Sequence, residues 1–152
     1  MITESSIFLL PSSFLLAAVL LAVDPGRDKC GVAVMDARTV LARAVVPTPQ
    51  LLELITDWSS RYGVKHILVG DRTGSKEIVQ LVASALRSVP LTLVAETGTT
   101  LHARKRYFRD HPPRGWRRFV PVTLQVPSQP YDDYAAVLLV ERFLERMSTD
   151  IK

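Results

Sequence analysis

The chain has 152 residues, 47% hydrophobic and 22% charged, with a formal net charge of +4 and a pI of about 9.5. The composition is ordinary for a globular protein. The chain is long enough for one domain with its own core and too short to leave much room for a second. The single cysteine, Cys30, excludes an intrachain disulfide and is predicted to be a small buried side chain.

The N-terminal segment 7–23 is almost wholly apolar, which is also typical of a signal peptide or a membrane anchor. Against both, the first residues carry Glu4 and no Lys or Arg, and Pro11 begins a break in the apolar run. The run leads directly into Asp24, as a buried first strand would. We therefore expect a cytoplasmic protein without a membrane partner, with an N-terminal extension at 1–14 and one domain at 15–148.

The first half of the chain is predicted to be mainly β-structure. Strands are expected over 15–23, 31–35 and 40–46, with turns over 24–30 and 36–39. The last two strands are close enough to form a hairpin. A helix over 50–62 follows, because its apolar residues have helical spacing and Gly63 ends the pattern.

The second half alternates strands with helices. A strand over 64–70 is followed by a helix with Ser75 as its cap, a strand over 91–95, a short helix over 99–108, an irregular proline-rich stretch over 110–130 and a helix over 131–146. The order β-β-β-α-β-α-β-α-α predicts an α/β fold, a mixed sheet with helices on both faces.

Carboxylates lie at the ends of the predicted elements. Asp24 ends the first strand, and Glu96 follows the fifth. Asp132 and Asp133 open the last helix. In open α/β sheets, sites form beyond the carboxyl ends of the strands, so Asp24 and Glu96 are expected at one edge, with Asp132 brought there by the helix.

Clustered carboxylates stay ionised only with cations between them, and oxygen ligands of this kind suit Mg²⁺ or Mn²⁺. Two such ions about 4 Å apart can hold the attacking and leaving oxygens of a phosphodiester. Taken singly, each acid has a simpler interpretation. Asp24 could be a turn residue, Asp132 a partner of the helix dipole, and Glu96 a solvated loop end.

Three segments resemble the YqgF-type, Holliday-junction-resolvase-like nucleases, which are associated with maturation of the 16S ribosomal RNA precursor. Residues 20–34 (LLAVDPGRDKCGVAV) resemble the opening strand, Asp-x-Gly turn and second strand of that family. Residues 96–103 (ETGTTLHA) resemble its acidic strand end, and residues 132–139 (DDYAAVLL) its last helix. The resemblance spans about residues 18–146.

The resemblance implies a ribonuclease H-like fold with a five-stranded mixed sheet and a nuclease that uses Mg²⁺ or Mn²⁺. It assigns Asp24, Glu96 and Asp132 as catalytic, metal-binding acids, with Asp133 as a neighbouring ligand. The substrate it implies is nucleic acid, RNA rather than DNA, and specifically the ribosomal precursor. The chain departs from the family at Asp28 and Thr97, where basic residues are usual, so the resemblance is to a divergent member.

A basic segment over 102–119 lies between Glu96 and Asp132, with Asp110 as its one acid. Arginine and lysine neutralise phosphates, and interleaved aromatics can stack on unpaired bases. The alternative is a solvated helix face with its aromatics turned to the core. The residues predicted to contact nucleic acid are Arg27, Lys29, Arg72, Arg104, Arg106, Arg109, Arg117 and Arg118.

Three other functions remain open at this point. The Asp-x-Gly turn also opens sugar kinases and actin-like ATPases, but those proteins need a second domain, and the chain has no Walker-type loop. A non-catalytic nucleic-acid or ribosome-binding protein could keep the fold, and the residues at 28 and 97 allow it. A DNA junction resolvase would share the site, and the fold cannot separate it from a ribonuclease. Nothing in the sequence decides between a monomer and a homodimer.

Overall fold

A computed structural model describes residues 17–36, 39–71, 74–95, 99–121 and 132–150, with the side chains of 99–104, 132, 133 and 148–150 outside that description. Five strands form one sheet in the order β3-β2-β1-β4-β5. The strands are β1 (Val19–Asp24), β2 (Lys29–Asp36), β3 (Thr39–Pro47), β4 (His66–Gly70) and β5 (Leu91–Val94).

The sheet is mixed, as the sequence predicts. β1 pairs antiparallel with β2, and β2 pairs antiparallel with β3, through short connections that allow hairpins. β1 and β4 are parallel, as are β4 and β5, because helices connect them. β1 is therefore central and buried on both faces, which explains its unbroken apolar sequence.

Helices cover both faces of the sheet. They are α1 (Leu51–Tyr62), α2 (Ser75–Ala85), α3 (Thr99–Asp110) and α4 (Asp132–Asp150). One core lies between the sheet and α1 with α2, and includes Leu21 and Val23 of β1. The other lies under α4 and includes Leu20 and Ala22. Alternation along β1 thus sends successive side chains into two separate cores.

A buried histidine links β4, β5 and α4. His66 is fully buried, its Nε2 is 2.7 Å from the Thr92 hydroxyl, and its ring stacks on Phe143 at 5.6 Å between centroids. Burial lowers the pKa of His66 from 6.5 to about 4, since the imidazolium would lose its hydration. His66 is therefore neutral at physiological pH.

Several predicted strand boundaries were wrong. β1 begins at Val19 rather than at 15, and β4 at His66 rather than at 64. β2 runs from Lys29 to Asp36 rather than over 31–35, because Lys29 pairs with Pro47 of β3 at one end and Asp36 pairs with Val19 of β1 at the other.

The helix ends also differ from the prediction. Ser75 is not the cap of α2: Gly74 occupies that position with a left-handed φ of 89°, and Ser75 is the buried first helical residue. α3 continues to Asp110, and the stretch predicted as irregular contains a 3₁₀ turn at Gly115–Phe119. Within the described ranges, no helix is long and apolar enough to cross a membrane.

Candidate functional site

Asp24 ends the central strand β1 and is only 4% exposed. Leu20 and Ala22 belong to the core under α4, so alternation puts the Asp24 side chain on that same face of the sheet. Its cross-strand partner on β2 is Gly31. On the other side, Gly70 follows Val69, the β4 partner of Val23. A buried carboxylate therefore stands between two residues without side chains.

The two glycines have a chemical consequence. Glycine within a strand weakens the sheet, and it commonly marks a position where a ligand or another backbone approaches closely. At this position, Gly31 and Gly70 leave the α4 face beside Asp24 without neighbouring side-chain bulk. The neighbouring strands thus add no side chain beside the buried carboxylate of Asp24.

The turn after Asp24 is closely packed. The backbone N–H of Thr48 donates to the Asp28 carbonyl at 3.0 Å, which ties the turn to the end of β3. A Cβ built on Gly26 would collide with the backbone carbonyl oxygen of Lys29. Glycine at position 26 is therefore required by space, and this turn sets where Asp24 and the exposed Arg27 lie.

Replacing Gly26 with Ala is expected to lower the free energy of unfolding by about 1–3 kcal/mol, because the carbonyl of Lys29 must move away. Urea denaturation measures the change. Arg27→Ala, one residue further along on an exposed side chain, is the control and should stay within about 0.5 kcal/mol of the parent. Equal stability of Gly26→Ala and the parent would show that the turn relaxes without cost.

Glu96 lies outside the described residues, two positions beyond the end of β5. The residue before that gap is held in place by a helix: the guanidinium of Arg142 on α4 donates to the Ala95 carbonyl at 3.3 Å. Val94 is buried in the core under α4, on the face that carries Asp24. Arg142 was missed by the sequence analysis, where nothing distinguished it from other charged residues on that helix.

The start of α4 is located by Tyr134. The Arg43 guanidinium of β3 stacks over the Tyr134 ring at 4.1 Å and lies 3.5 Å from the Asp110 carboxylate. The first turn of α4 thus lies beside β3, two strands from β1. Burial raises the pKa of Tyr134, with Arg43 opposing the shift, so the phenol is neutral. The side chains of Asp132 and Asp133 lie outside the described residues, and their meeting with Asp24 stays a prediction.

The residues predicted to contact nucleic acid differ in their exposure and in their partners. Arg106 is only 25% exposed and makes a 2.8 Å ion pair with Glu141 of α4, so it joins α3 to α4. Arg72 and the side chain of Arg104 lie outside the described residues. The remaining predicted contacts are exposed: Arg27, Lys29, Arg109, Arg117 and Arg118.

The ion pair predicts different effects for two arginines on the same helix. Arg106→Ala is expected to lower the free energy of unfolding by about 1 kcal/mol, because it leaves Glu141 half-buried without its partner. Arg109→Ala should leave stability unchanged and reduce the slope of log affinity for single-stranded RNA against log salt by roughly 0.7. Salt titrations of binding and urea denaturation separate the two. The opposite pattern would make Arg106 the phosphate contact.

The aromatic residues of the basic segment divide between the core and the surface. Tyr107 is buried and packs edge-on against Tyr134 at 5.7 Å. Trp116 and Phe119 are 74% and 77% exposed. The alternative of an aromatic turned to the core is therefore correct for Tyr107, whereas the contact of the exposed rings with nucleic acid stays a prediction.

A divalent ion fits the chemistry of the predicted donors, which are carboxylates throughout. Asp24 is a buried carboxylate at the carboxyl end of β1. Among the described side chains, no group of three or more potential ligands could hold a metal ion. The participation of Glu96 and Asp132 stays a prediction.

Comparison with known proteins bears on the fold. No family model matches the chain. A "Putative pre-16S rRNA nuclease" of Bacteroides fragilis is 36% identical over 53 residues, which are 34% of this chain and 38% of that protein. A protein of the same name from Porphyromonas gingivalis is 29% identical over 99 residues, covering 57% of this chain and 72% of that one. Over part of its length, the chain is thus similar to proteins named as putative pre-16S rRNA nucleases.

The fold of the chain is similar to that of a solved structure. RuvC of Thermus thermophilus superposes with a TM-score of 0.51 at 17% identity, over 86% of this chain and 97% of RuvC. The likeness confirms the predicted ribonuclease H-like architecture of a five-stranded mixed sheet with helices on both faces. The match to the Bacteroides fragilis relative spans less than half of that protein's length, 38%.

Proposed function

We propose that this protein is a metal-dependent nuclease that hydrolyses phosphodiester bonds of RNA, with the 16S ribosomal RNA precursor as its substrate. The observation that carries the proposal is Asp24, a buried carboxylate at the carboxyl end of the central strand, flanked by Gly31 and Gly70. The names of the relatives in Bacteroides fragilis and Porphyromonas gingivalis support the same activity.

The proposed ligands of Mg²⁺ or Mn²⁺ are Asp24, Glu96 and Asp132. Asp133, the next residue of α4, would be a further ligand. Support for Glu96 comes from the strand before it. Val94 lies on the Asp24 face, and strand alternation, if it were continued for two residues, would return Glu96 to that face. Two bound ions would lower the pKa of the attacking water and stabilise the charge on the departing oxygen.

The chain's own residues would position the substrate around these acids. Asp24 is paired with Gly31 of β2, and the preceding Val23 is paired with Val69 of β4, so the Asp24 carboxylate would need little reorganisation to act. Arg27 and Lys29, in and after the tight turn, would bind phosphates beside the scissile bond. Arg109 would bind phosphates further along the nucleic-acid substrate.

The second candidate is a nucleic-acid-binding protein without catalysis. Asp28 favours it, because this exposed acid stands in the turn next to Asp24 where the nucleases of the family carry a basic residue. A DNA junction resolvase is an alternative substrate choice for the same site. A pure binder, however, gains nothing from clustered carboxylates that face phosphates.

The test is a cleavage assay on three labelled substrates: single-stranded RNA, precursor ribosomal RNA and a four-way DNA junction. Each is incubated with Mg²⁺, with Mn²⁺ and with EDTA. We expect RNA cleavage that requires the metal and is faster on the precursor. Salt-sensitive binding of well-folded protein to these substrates without cleavage would favour the binding protein, and preferred cleavage of the junction would favour the resolvase.

A further inference from the structure

Trp116 and Phe119 are the most exposed large hydrophobic residues in the described part of the chain. They are 74% and 77% exposed, against 46% for Leu93, the next highest. Removing both rings from water would gain several kcal/mol, because aromatic side chains carry a large apolar area. Nothing in the folding of the described domain uses this area, which is typical of a contact with a partner.

The backbone presents the two rings together. They lie on the 3₁₀ turn Gly115–Phe119, in which residues three apart face the same side. Three residues of a 3₁₀ helix rise about 6 Å. That is close to twice the 3.4 Å separation of stacked bases, the space needed to admit one base between two rings. Gly115 enters the turn with a left-handed φ of 64°, which other residues rarely adopt.

The charge around the rings is positive. Arg117 and Arg118 in the turn and Arg114 just before it are exposed, and the sequence from His111 to Pro121 contains no acid. The Arg118 guanidinium lies over the Phe119 ring at 4.9 Å. Exposed aromatics interleaved with arginines are the chemistry that single-stranded nucleic acid requires: rings for the bases and cations for the phosphates.

The segment before the 3₁₀ turn packs near the start of α4, where the predicted acids lie. His111 donates its backbone N–H to the Tyr107 carbonyl at 2.8 Å, and its ring stacks on Tyr107 at 4.7 Å. Tyr107 in turn packs against Tyr134 in the first turn of α4. The segment that leads from α3 to Trp116 therefore begins next to the start of α4, the helix that carries Asp132.

We propose that Trp116 and Phe119 form a stacking platform for unpaired bases, and that the arginines of the same turn bind the flanking phosphates. This inference deepens the proposed nuclease function and names its substrate class, a single-stranded stretch of nucleic acid beside the scissile bond. Double-stranded segments bind less tightly, because their bases are already stacked and paired.

The experiment measures binding in EDTA, where metal-dependent hydrolysis cannot occur, so its result is independent of whether Asp24 is catalytic. Fluorescence anisotropy compares a labelled uridine oligonucleotide with an abasic strand of the same length and charge. Trp116→Leu removes the ring and keeps an apolar side chain, whereas Trp116→Phe keeps a ring. Leu93→Ala is the matched control at an exposed hydrophobic residue of β5.

We expect the parent to prefer the uridine strand, and Trp116→Leu to bind it about 5- to 150-fold more weakly, the range for loss of one base stack. Trp116→Phe should recover most of the affinity, and Leu93→Ala should retain all of it. Equal affinity of the parent for the two strands would overturn the proposal, as would unchanged binding by Trp116→Leu. Tight binding to phosphatidylglycerol vesicles without any preference for bases would overturn it in favour of a membrane surface.

Discussion

Replacing Asp24 with Asn is expected to slow metal-dependent RNA cleavage at least about 100-fold while the protein stays folded. The amide keeps the size of the carboxylate and removes the charge that would hold the ion. A metal ion that polarises a phosphate supplies several kcal/mol of transition-state stabilisation, and each 1.36 kcal/mol is a factor of ten in rate. Single-turnover cleavage in saturating Mn²⁺ measures the loss.

The matched control is Asp36→Asn. Asp36 also lies at a strand end, but it pairs with Val19 at the opposite edge of the sheet and is exposed. Its replacement should leave the cleavage rate at the parental value. Cleavage by Asp24→Asn at a rate close to that of the parent would remove Asp24 from the active site, and with it the observation on which the proposed function rests.

The pH dependence of stability is expected to carry a large contribution from His66. Its pKa is lowered to about 4 in the folded protein, so unfolding exposes an imidazole that binds a proton more readily. The contribution is fully present above the unfolded pKa of 6.5 and is lost as the pH falls toward 4. The loss amounts to about 2 kcal/mol at pH 5 and about 3 kcal/mol at pH 4.

Urea denaturation of the parent and of His66→Gln at pH 7 and pH 5 measures this contribution. Gln does not titrate, and its amide can still hydrogen-bond to the Thr92 hydroxyl. The variant should therefore lose about 2 kcal/mol less than the parent between the two pH values. His111→Gln, at an exposed histidine, should behave like the parent. Parallel losses for the parent and His66→Gln would mean that the folded protein protonates His66 normally.

The architecture could be predicted from the sequence because its strongest signals are local. β1 and β4 are short, uninterrupted apolar runs, which indicate strands buried on both faces, and the helices between the later strands require parallel pairing. The strand ends could not be predicted, since they depend on the partner. Lys29 is polar and follows a turn, yet it belongs to β2 because Pro47 of β3 lies opposite.

The candidate site was predictable where a residue ends a strand and less so where distant segments meet. The position of Asp24 follows from the end of an apolar run. The ion pair of Arg106 joins residues 35 positions apart on two helices, for which the sequence holds no local signal. The aromatics show the same limit: Tyr107 lies on a helix with a buried side, whereas Trp116 follows prolines in a stretch without periodicity.

In the proposed active site, carboxylates from three distant parts of the chain meet around a divalent ion. Titration of Mn²⁺, followed by the loss of the free-ion electron paramagnetic resonance signal, tests it on the parent and on Asp24→Asn, Glu96→Gln, Asp132→Asn, Asp133→Asn and the control Asp36→Asn. We predict saturable binding that weakens at least about 10-fold in the Asp24, Glu96 and Asp132 variants and is unchanged in the Asp36 variant. Parental affinity in the Glu96 and Asp132 variants, or no saturable binding by the parent, would contradict the account.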